Sequence, residues 1–267
     1  MREFEKGARI KHWMRRLGEH HERMQRRYQE EDLMVIFDID DTILDLRHMV
    51  LHVLRSFDRR HDTAFFADIG VDEIEASEAE MGKIIRQLSI PAKDERRIAS
   101  WFEEHSWSSK VIREAHRPFP GVMEVIRWFQ GQPKTVVGIN TGRPELIRDD
   151  TLRSLNSAGR SHNVVFTHNL LFMNPCGWNG NIVAFKVAGI DYFQKKGFRV
   201  IAFVDNEPEN LQAVSMNDRT GDILLLHADT VYKSQREKMP RNAVSGKVYD
   251  IAELRRVLRW DQLGNAA

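Results

Sequence analysis

Five short apolar runs limit what this chain can fold into. Each run is rich in Val, Ile, Leu or Phe and is continuous rather than alternating, as in strands that are covered on both faces. The runs are LMVIF (33–37), TVVGI (135–139), VVF (164–166), VIAFV (200–204) and ILLL (223–226). Helical stretches such as PGVMEVIRWFQ and AGIDYFQKKG separate most of them, and this alternation predicts a parallel sheet. We therefore predict an α/β fold whose Rossmann-like core carries helices on both faces of the sheet.

The long interval between the first two runs has a helical pattern. A structureless loop of this length would be unusual in a compact protein. The apolar residues that recur at helical spacing are Met49, Val50, Val53, Leu54 and Phe57, then Met81, Ile84, Ile85 and Leu88, then Ile98, Trp101 and Phe102, then Val111 and Ile112. We predict that residues 46–118 form an inserted all-helical module, that residues 33–45 and 119–267 form the core, and that the chain re-enters the core at RPFPG.

The N-terminal segment, residues 1–32, is charged but has one apolar stripe. Its members are Ile10, Trp13, Met14, Leu17, Met24 and Tyr28, at spacings of three and four. This pattern predicts an amphipathic helix that docks on the body of the protein or on a partner chain, which includes a second copy of this chain. Glutamates alternate with the arginines of this helix, which disfavours nucleic acid as its partner.

Charge and cysteine content narrow the class of protein. The formal net charge is +1, so no bulk field favours nucleic acid or an anionic membrane. The single cysteine, Cys176, excludes an intrachain disulfide and fits a reducing compartment. The apolar runs are far shorter than the roughly 20 residues that span a bilayer. From these features and the lack of a leader pattern we expect a soluble, cytoplasmic protein with no membrane partner.

Unusual polar residues follow the predicted strands. Asp38 and Asp40 come after the first run, Thr141 after the second, and Asp205 after the fourth, while Lys186 stands just before the helix that leads into that fourth run. Since ligands bind at the carboxyl ends of parallel strands, these side chains should converge at one edge. Neighbouring carboxylates need a cation to ionise together, and hard oxygen ligands favour Mg²⁺, which also accepts phosphate oxygens.

Four segments resemble the motifs of the haloacid dehalogenase (HAD) superfamily: DIDDT, NTGRP, Lys186 and DNEPE, in that order. The resemblance covers about residues 33–228, and the helical insert lies between the first two motifs, where one class of HAD cap is inserted. It implies that Asp38 is the nucleophile that becomes an aspartyl-phosphate and that Asp40 is the general acid and base. It further implies that Thr141 and Lys186 hold the phosphate.

The same resemblance implies a Mg²⁺ site formed by Asp38, the backbone carbonyl of Asp40, and Asp205. Supporting roles are assigned to Asn206, which would order a metal-bound water, and to Glu209, which would pair with the motif III lysine. We assign phosphate contacts to Thr42, Gly142 and Arg143, and leave open that Arg143 only braces its loop.

The sequence departs from the motifs at two places. Motif III often runs Lys-Pro, but Val187 follows Lys186, so Lys195 or Lys196 is an alternative. We prefer Lys186, because the other two lysines stand late in the predicted helix. Motif IV has Asn206 after its first acid, and its spaced acid is a glutamate.

A leaving alkoxide needs a proton whereas a halide does not, so the second carboxylate favours phosphate ester chemistry over dehalogenation. We therefore predict a Mg²⁺-dependent phosphomonoester hydrolase, whose cap favours a small phosphorylated metabolite. The alternatives are a phosphomutase or phosphotransferase of the same fold, and a catalytically silent module that binds a phosphorylated ligand or a partner.

Overall fold

The computed structural model describes residues 12–75, 81–87, 90–231 and 238–256. Ile10 and Leu88, which belong to the predicted apolar patterns, lie outside the described residues, as do the two ends of the chain at 1–11 and 257–267. The α-helices are α1 (Trp13–Arg27), α2 (Arg47–His61), α3 (Met81–Gln87), α4 (Ala92–His105), α5 (Ser109–Ala115), α6 (Val122–Gln130), α7 (Arg148–Gly159), α8 (Ile182–Lys195) and α9 (Pro208–Asn217). The strands are β1 (Asp32–Phe37), β2 (Thr135–Pro144), β3 (Leu171–Asn174), β4 (Phe198–Asp205), β5 (Leu224–Ala228) and β6 (Val244–Gly246).

The six described strands form one sheet in the order β3-β2-β1-β4-β5-β6, and every neighbouring pair is parallel. This confirms the predicted α/β fold. Strand β1 lies between β2 and β4, with Phe37 in register with Ile139 on one side and with Val204 on the other. The polar segments that follow these three strands therefore start at the same edge of the sheet.

Helices cover both faces of the sheet. On one face the apolar side chains of α1, α6 and α7 pack against β1 and β2, in a cluster that includes Leu17, Ile126 and Leu155. On the other face α8 and α9 contribute Phe193 and Leu211 to a second cluster. Both faces of β1 are buried, which accounts for its continuous apolar run.

The predicted strand at 164–166 is wrong. Val164–Phe166 is irregular, and its backbone groups are bonded by side chains: Phe166 N–H donates to Asn156 Oδ1 and the Val165 carbonyl accepts from Gln130 Nε2. Because side chains bind these backbone groups, they form no strand. The strand β3 begins seven residues after the predicted start, at Leu171, which is in register with Ile139.

The helices α2 to α5 share a hydrophobic cluster of their own that includes Val53, Phe57, Ile84 and Phe102. The two crossings between this insert and the sheet run side by side, because Asp45 N–H donates to the carbonyl of Arg117 and Phe119 N–H donates to that of Ile43. This crossing lies at the predicted boundaries 45/46 and 118/119, although the division into domains stays a prediction.

The apolar stripe of α1 packs on the chain's own core. Trp13, Met14 and Leu17 are buried, and the indole Nε1 of Trp13 donates to the carbonyl of Val248. His21 lies 2.9 Å from the Thr135 hydroxyl at the start of β2. Of the two docking modes that the sequence leaves open, the structure shows docking on the body. None of the helices in the described part of the chain combines the length and apolar content that a bilayer crossing requires.

Candidate active site

Asp38 stands at the carboxyl end of β1 and is held there by the neighbouring strand. Its N–H donates to the carbonyl of Val204 at 2.9 Å, and its side chain is nearly buried. The chain then turns tightly, with the N–H groups of Ile43 and Leu44 both donating to the carbonyl of Ile39. Asp41 lies in this turn with φ 53°, in the left-handed region that Asp tolerates better than most side chains.

Lys186 brings two of the predicted acids together. Its Nζ lies 2.5 Å from Asp38 Oδ1 and 2.9 Å from Asp205 Oδ2, and it also donates to the carbonyl of Asn140 at 2.9 Å. All three charged side chains are buried. We predicted that Lys186 precedes its helix, but α8 begins at Ile182, so the lysine stands inside the helix. The alternatives Lys195 and Lys196 lie at the far end of α8.

The charges of Asp38, Lys186 and Asp205 interact, and they shift the pKa values of Asp38 and Lys186. Burial raises the pKa of the Asp38 carboxyl above its ordinary value, and the negative charges of Asp205 and Asp40 add to this, while Lys186 opposes it. Burial alone would lower the pKa of Lys186, but the charges of Asp205 and Asp38 overcome it and raise the pKa above its usual range. When both carboxylates are ionised, their two charges against one ammonium leave one negative charge.

Asp205 ends β4 and is held by neutral groups. Its Oδ1 accepts the N–H of Glu207 at 2.8 Å, and the Asn210 amide lies 3.1 and 3.2 Å from its two oxygens. The following carbonyl, of Asn206, lies 3.0 Å from Nε2 of the buried His227 on β5. Because a carbonyl only accepts, the ring donates through this nitrogen.

Glu209 stands apart from the cluster. It lies in the first turn of α9, is half exposed, and pairs with Lys238. The predicted contact with the motif III lysine is therefore not formed, and Asp205 makes that contact instead.

The three site residues predicted in NTGRP are Thr141, Gly142 and Arg143, and each has different contacts. Thr141 is buried in the last half of β2, and its Oγ1 accepts the N–H of Arg143 at 3.2 Å. Gly142 packs against Ile182 of α8, where a Cβ would lie 2.8 Å from Cδ1 of that side chain. Arg143 turns away from the lysine and towards Asp40.

Arg143 and Asp40 form a close pair. The Arg143 Nε lies 3.1 and 2.9 Å from the two carboxylate oxygens of Asp40, and Nη2 lies 2.5 Å from Oδ1. The guanidinium is 1% exposed, and its Cζ lies 5.0 Å from the ring centre of Trp107, which the helical insert supplies. The structure thus shows Arg143 bound to the second carboxylate, while its predicted phosphate contact and the bracing role left open both stay predictions.

Thr42 links the site to Tyr249, which follows β6, and through it to α1. Its hydroxyl lies 3.5 Å from Asn206 Oδ1, and its carbonyl accepts from the buried Tyr249 hydroxyl at 2.9 Å. Burial raises the pKa of Tyr249, which therefore stays a hydrogen-bond donor. Its ring centre lies 4.9 Å from that of Trp13, so α1 supports the motif I loop through one aromatic contact.

Asn140 is a residue of the site that the sequence interpretation missed. It is fully buried, its amide Nδ2 donates to the backbone carbonyl of Lys186 at 2.8 Å, and its own carbonyl receives the lysine Nζ. The sequence did carry a signal, because a polar amide inside an apolar strand needs a hydrogen-bond partner when it is buried, and Asn140 directly precedes Thr141 in NTGRP. Asn210, four residues after Asn206, was missed for the same reason.

The donor set suits a divalent cation bound by few carboxylates. Within the described ranges no group of three or more His, Cys, Asp or Glu side chains gathers to hold a metal. Mg²⁺, however, needs only one or two carboxylates and keeps waters. Asp38 and Asp205 carry the one uncompensated negative charge of the cluster, since Arg143 balances Asp40. The chemistry of these residues therefore fits the predicted ion.

Comparison of sequences finds no match, whereas comparison of structures finds several similar proteins. No family model and no curated protein matches the chain. A protein of Clostridium difficile named "Putative Phosphatase" has a similar structure, with a TM-score of 0.53 and 13% identity over 84% of this chain and 99% of that one. A HAD family hydrolase of Deinococcus radiodurans with bound phosphate and sodium gives 0.49 and 15%, over 87% and 97%. A haloacid dehalogenase-like hydrolase of Streptococcus pneumoniae gives 0.48 and 10%, over 86% and 98%. The chain therefore shares its fold with the Clostridium difficile protein, over almost the whole length of that protein.

Proposed function

We propose that this protein is a Mg²⁺-dependent phosphomonoester hydrolase that forms an aspartyl-phosphate on Asp38. The observation that carries the proposal is the position of the Lys186 ammonium, which bridges Asp38 and Asp205 at the carboxyl edge of the sheet. A nucleophilic carboxylate, a fixed positive charge and a second carboxylate for a cation are the groups that phosphoryl transfer requires. The single cysteine suits a cytoplasmic setting.

In the first step an Asp38 oxygen attacks phosphorus, and the bond from phosphorus to the leaving oxygen breaks. Lys186 keeps Asp38 oriented and offsets charge on the phosphoryl oxygens. The Thr141 oxygen already accepts an N–H, so its own hydroxyl proton is left to donate to the phosphoryl group.

Asp40 handles the protons of both steps. In its protonated form Asp40 donates its proton to the leaving oxygen and becomes a carboxylate. In the second step this carboxylate takes a proton from the water that attacks the phosphorus of the aspartyl-phosphate and frees Asp38, which restores the protonated form. The forked contact with Arg143 fixes the carboxylate of Asp40 in one orientation. Its side chain keeps 24% exposure, so it can still meet substrate and water.

The residues that would hold the cation are Asp38, the backbone carbonyl of Asp40, and Asp205, with Asn206 next to them. When bound, Mg²⁺ would neutralise phosphate charge and orient the transferring group. The chain's own contribution is to fix Asp205 by the Asn210 amide and the Glu207 N–H, so that little rearrangement is needed.

A small substrate is supported by the enclosure of the site. Asp38, Lys186 and Thr141 are all buried, and Trp107 of the insert lies against Arg143 next to them. A macromolecule could not present its phosphate to groups so placed, whereas a small organophosphate can be enclosed with them.

The test is hydrolysis of p-nitrophenyl phosphate with Mg²⁺, at pH 5 to 9, by the wild type, by Asp38→Asn and by Asp32→Asn. Asp32 starts β1 at the opposite end of the strand and is exposed, so it serves as the matched loss of one carboxylate. We expect turnover in the wild type and in Asp32→Asn only. If the wild type shows no turnover above that of Asp38→Asn, the hydrolase proposal fails and the catalytically silent ligand-binding module becomes the better interpretation. Transfer of phosphate to a second sugar phosphate, without release of inorganic phosphate, would instead identify a phosphomutase.

A further inference from the structure

The helical insert contains a cavity of about 280 Å³ whose lining is rich in basic side chains. Its polar lining residues are His48, His52, Arg55, Arg59, Glu114 and Arg117. None of them belongs to the candidate active site. A cavity of this size is at the lower end of the range for small-molecule sites.

The cavity lies on the side of α2 that faces away from the insert's core. His48, His52, Arg55 and Arg59 follow one another at helical spacing and share one side of the helix. Residues between them, including Val50, point the other way, into the hydrophobic cluster of the insert.

His116 and Arg117, near the end of the insert, point to opposite sides, one towards the active site and the other towards the cavity. His116 has an extended backbone, with φ −73° and ψ 134°, and its ring lies 3.2 Å from Ser154 Oγ in α7, on the side of Arg143. Successive side chains of an extended segment point in opposite directions. Arg117, the next residue, therefore lines the cavity instead.

Among the described residues, the arginines of the cavity have no carboxylate partner. Elsewhere in the structure arginines pair with acids, as Arg143 does with Asp40 and Arg199 does with Glu31. Here two guanidinium groups are held by backbone carbonyls alone: Arg55 by those of Phe66, Ala67 and Ile69, and Arg117 by those of Glu114 and His116. Arg59 forms no ion pair within the described part of the chain.

Carbonyl contacts fix a guanidinium without neutralising it. The cavity thus presents three fixed or nearby positive charges against one carboxylate, Glu114, which forms no ion pair with them among the described residues. Four other acids lie close by: Asp45 and Asp72 are bound by Arg47, and Asp58 and Asp62 line an adjoining pocket on the other side of Arg55 and Arg59. Burial lowers the pKa of His52, and the charge of Arg59 adds to this. The His52 ring is therefore neutral at pH 7 and contributes hydrogen bonds but no charge to the cavity.

We propose that this cavity binds the phosphate group of a small phosphorylated molecule, at a site separate from the catalytic centre. Guanidinium groups present planar forks of N–H donors that match phosphate oxygens, and the carbonyl contacts pre-orient them. The residual charge of the cavity is neutralised by one phosphate dianion. The inference does not depend on the proposed hydrolase activity.

The test is calorimetric titration of methylenediphosphonate, inorganic phosphate and citrate into Asp38→Asn protein without divalent metal. The cavity variants are Arg59→Gln alone and Arg59→Gln with Arg117→Gln. The matched control is Arg96→Gln, which removes one exposed arginine from α4 of the same insert, outside the lining. Lys186→Met reports binding at the candidate active site.

We expect the double cavity variant to weaken diphosphonate binding by about tenfold or more, and Arg59→Gln to weaken it in the same direction. Arg96→Gln and Lys186→Met should leave the affinity unchanged. Circular dichroism and the melting temperature verify that each variant is folded, and Arg59→Gln alone keeps the test valid if the double variant unfolds. Equal affinities in the Arg59 and Arg96 variants, loss only with Lys186→Met, or citrate binding as tightly as the diphosphonate would each overturn the proposal.

Discussion

The contact between Gly189 and Asn140 controls where Lys186 stands, and it can be tested with one methyl group. Gly189 is buried in α8, and a Cβ there would lie 2.4 to 2.6 Å from the side-chain atoms of Asn140. That amide cannot move freely, because it is fully buried and donates to the backbone carbonyl of Lys186. Gly189→Ala must therefore crowd α8 against β2 and displace the amide from this hydrogen bond.

Two opposing effects set the free energy change of Gly189→Ala. Replacing a helical glycine by alanine stabilises a helix by about 1 kcal/mol. Overpacking a rigid interior costs about 1–3 kcal/mol, and losing the Asn140 hydrogen bond costs about 0.5–1.5 kcal/mol. The unfavourable contributions are larger, so we expect a net loss of about 2 kcal/mol in the free energy of unfolding.

Gly82→Ala is the control in which only the helix effect operates. Gly82 lies in α3, is exposed, and a Cβ there meets nothing closer than Arg86 Nη1 at 3.6 Å. Urea unfolding should show a higher midpoint for Gly82→Ala and a lower midpoint for Gly189→Ala, with unchanged slopes. Because Asn140 also receives the Lys186 Nζ, only Gly189→Ala should lower turnover.

Removing the obstructing side chain completes the test. In the double variant Gly189→Ala, Asn140→Ala the added methyl group has room, so the two stability losses should be less than additive. If Gly189→Ala raises the urea midpoint as Gly82→Ala does, the close approach of α8 to β2 is not a constraint and the reasoning fails.

Three further predictions concern the charges around the site. Arg143→Lys keeps the charge but loses the fork on Asp40, so turnover should fall by about tenfold or more with little change in KM; unchanged turnover would contradict an orienting role. Burial lowers the pKa of His116 to about 2, whereas the unfolded ring titrates near 6.5. The unfolded state therefore binds the proton first, and stability falls below pH 6.5 by up to about 1.4 kcal/mol per pH unit from this group. His116→Gln should reduce that slope in urea titrations, and an identical slope would refute the assignment. Asn210→Asp sets a second carboxylate against Asp205 and should cost about 3 kcal/mol or more above pH 7, less at acid pH where the pair shares a proton, and always more than Asn210→Ala. Equal costs at all pH values would show that charge is not the cause.

The continuous apolar runs predicted four of the six described strands, and the polar residues that follow them predicted the positions of the acids. A continuous apolar run marks a strand that is buried on both faces, and this identified β1, β2, β4 and β5. It failed at 164–166 because Asn156 and Gln130 satisfy that backbone from outside the sheet. It also missed β6, whose three residues Val244–Gly246 include only one large apolar side chain.

The partners of the polar residues were harder to predict than their positions. Strand order brings Asp38, Lys186 and Asp205 to one edge, so their meeting follows from topology. The pairing of Asp40 with Arg143 depends on side-chain rotamers and on a tryptophan from the insert, over a separation of 103 residues. No local pattern encodes such a contact. Glu209 was misjudged for a related reason, since its partner Lys238 lies in a loop rather than at the sheet edge.

Charge balance explains why the groups that support the cluster are neutral. Asn140 and Asn210 hold Lys186 and Asp205 through amides, which supply donors without altering the net charge of one negative. A phosphate dianion bound alone would bring that buried charge to three negative, which burial strongly penalises. A divalent cation bound with it returns the charge to one negative, the value that the folded protein already tolerates. The cation and the phosphate should therefore bind together, each raising the affinity of the site for the other by the same factor.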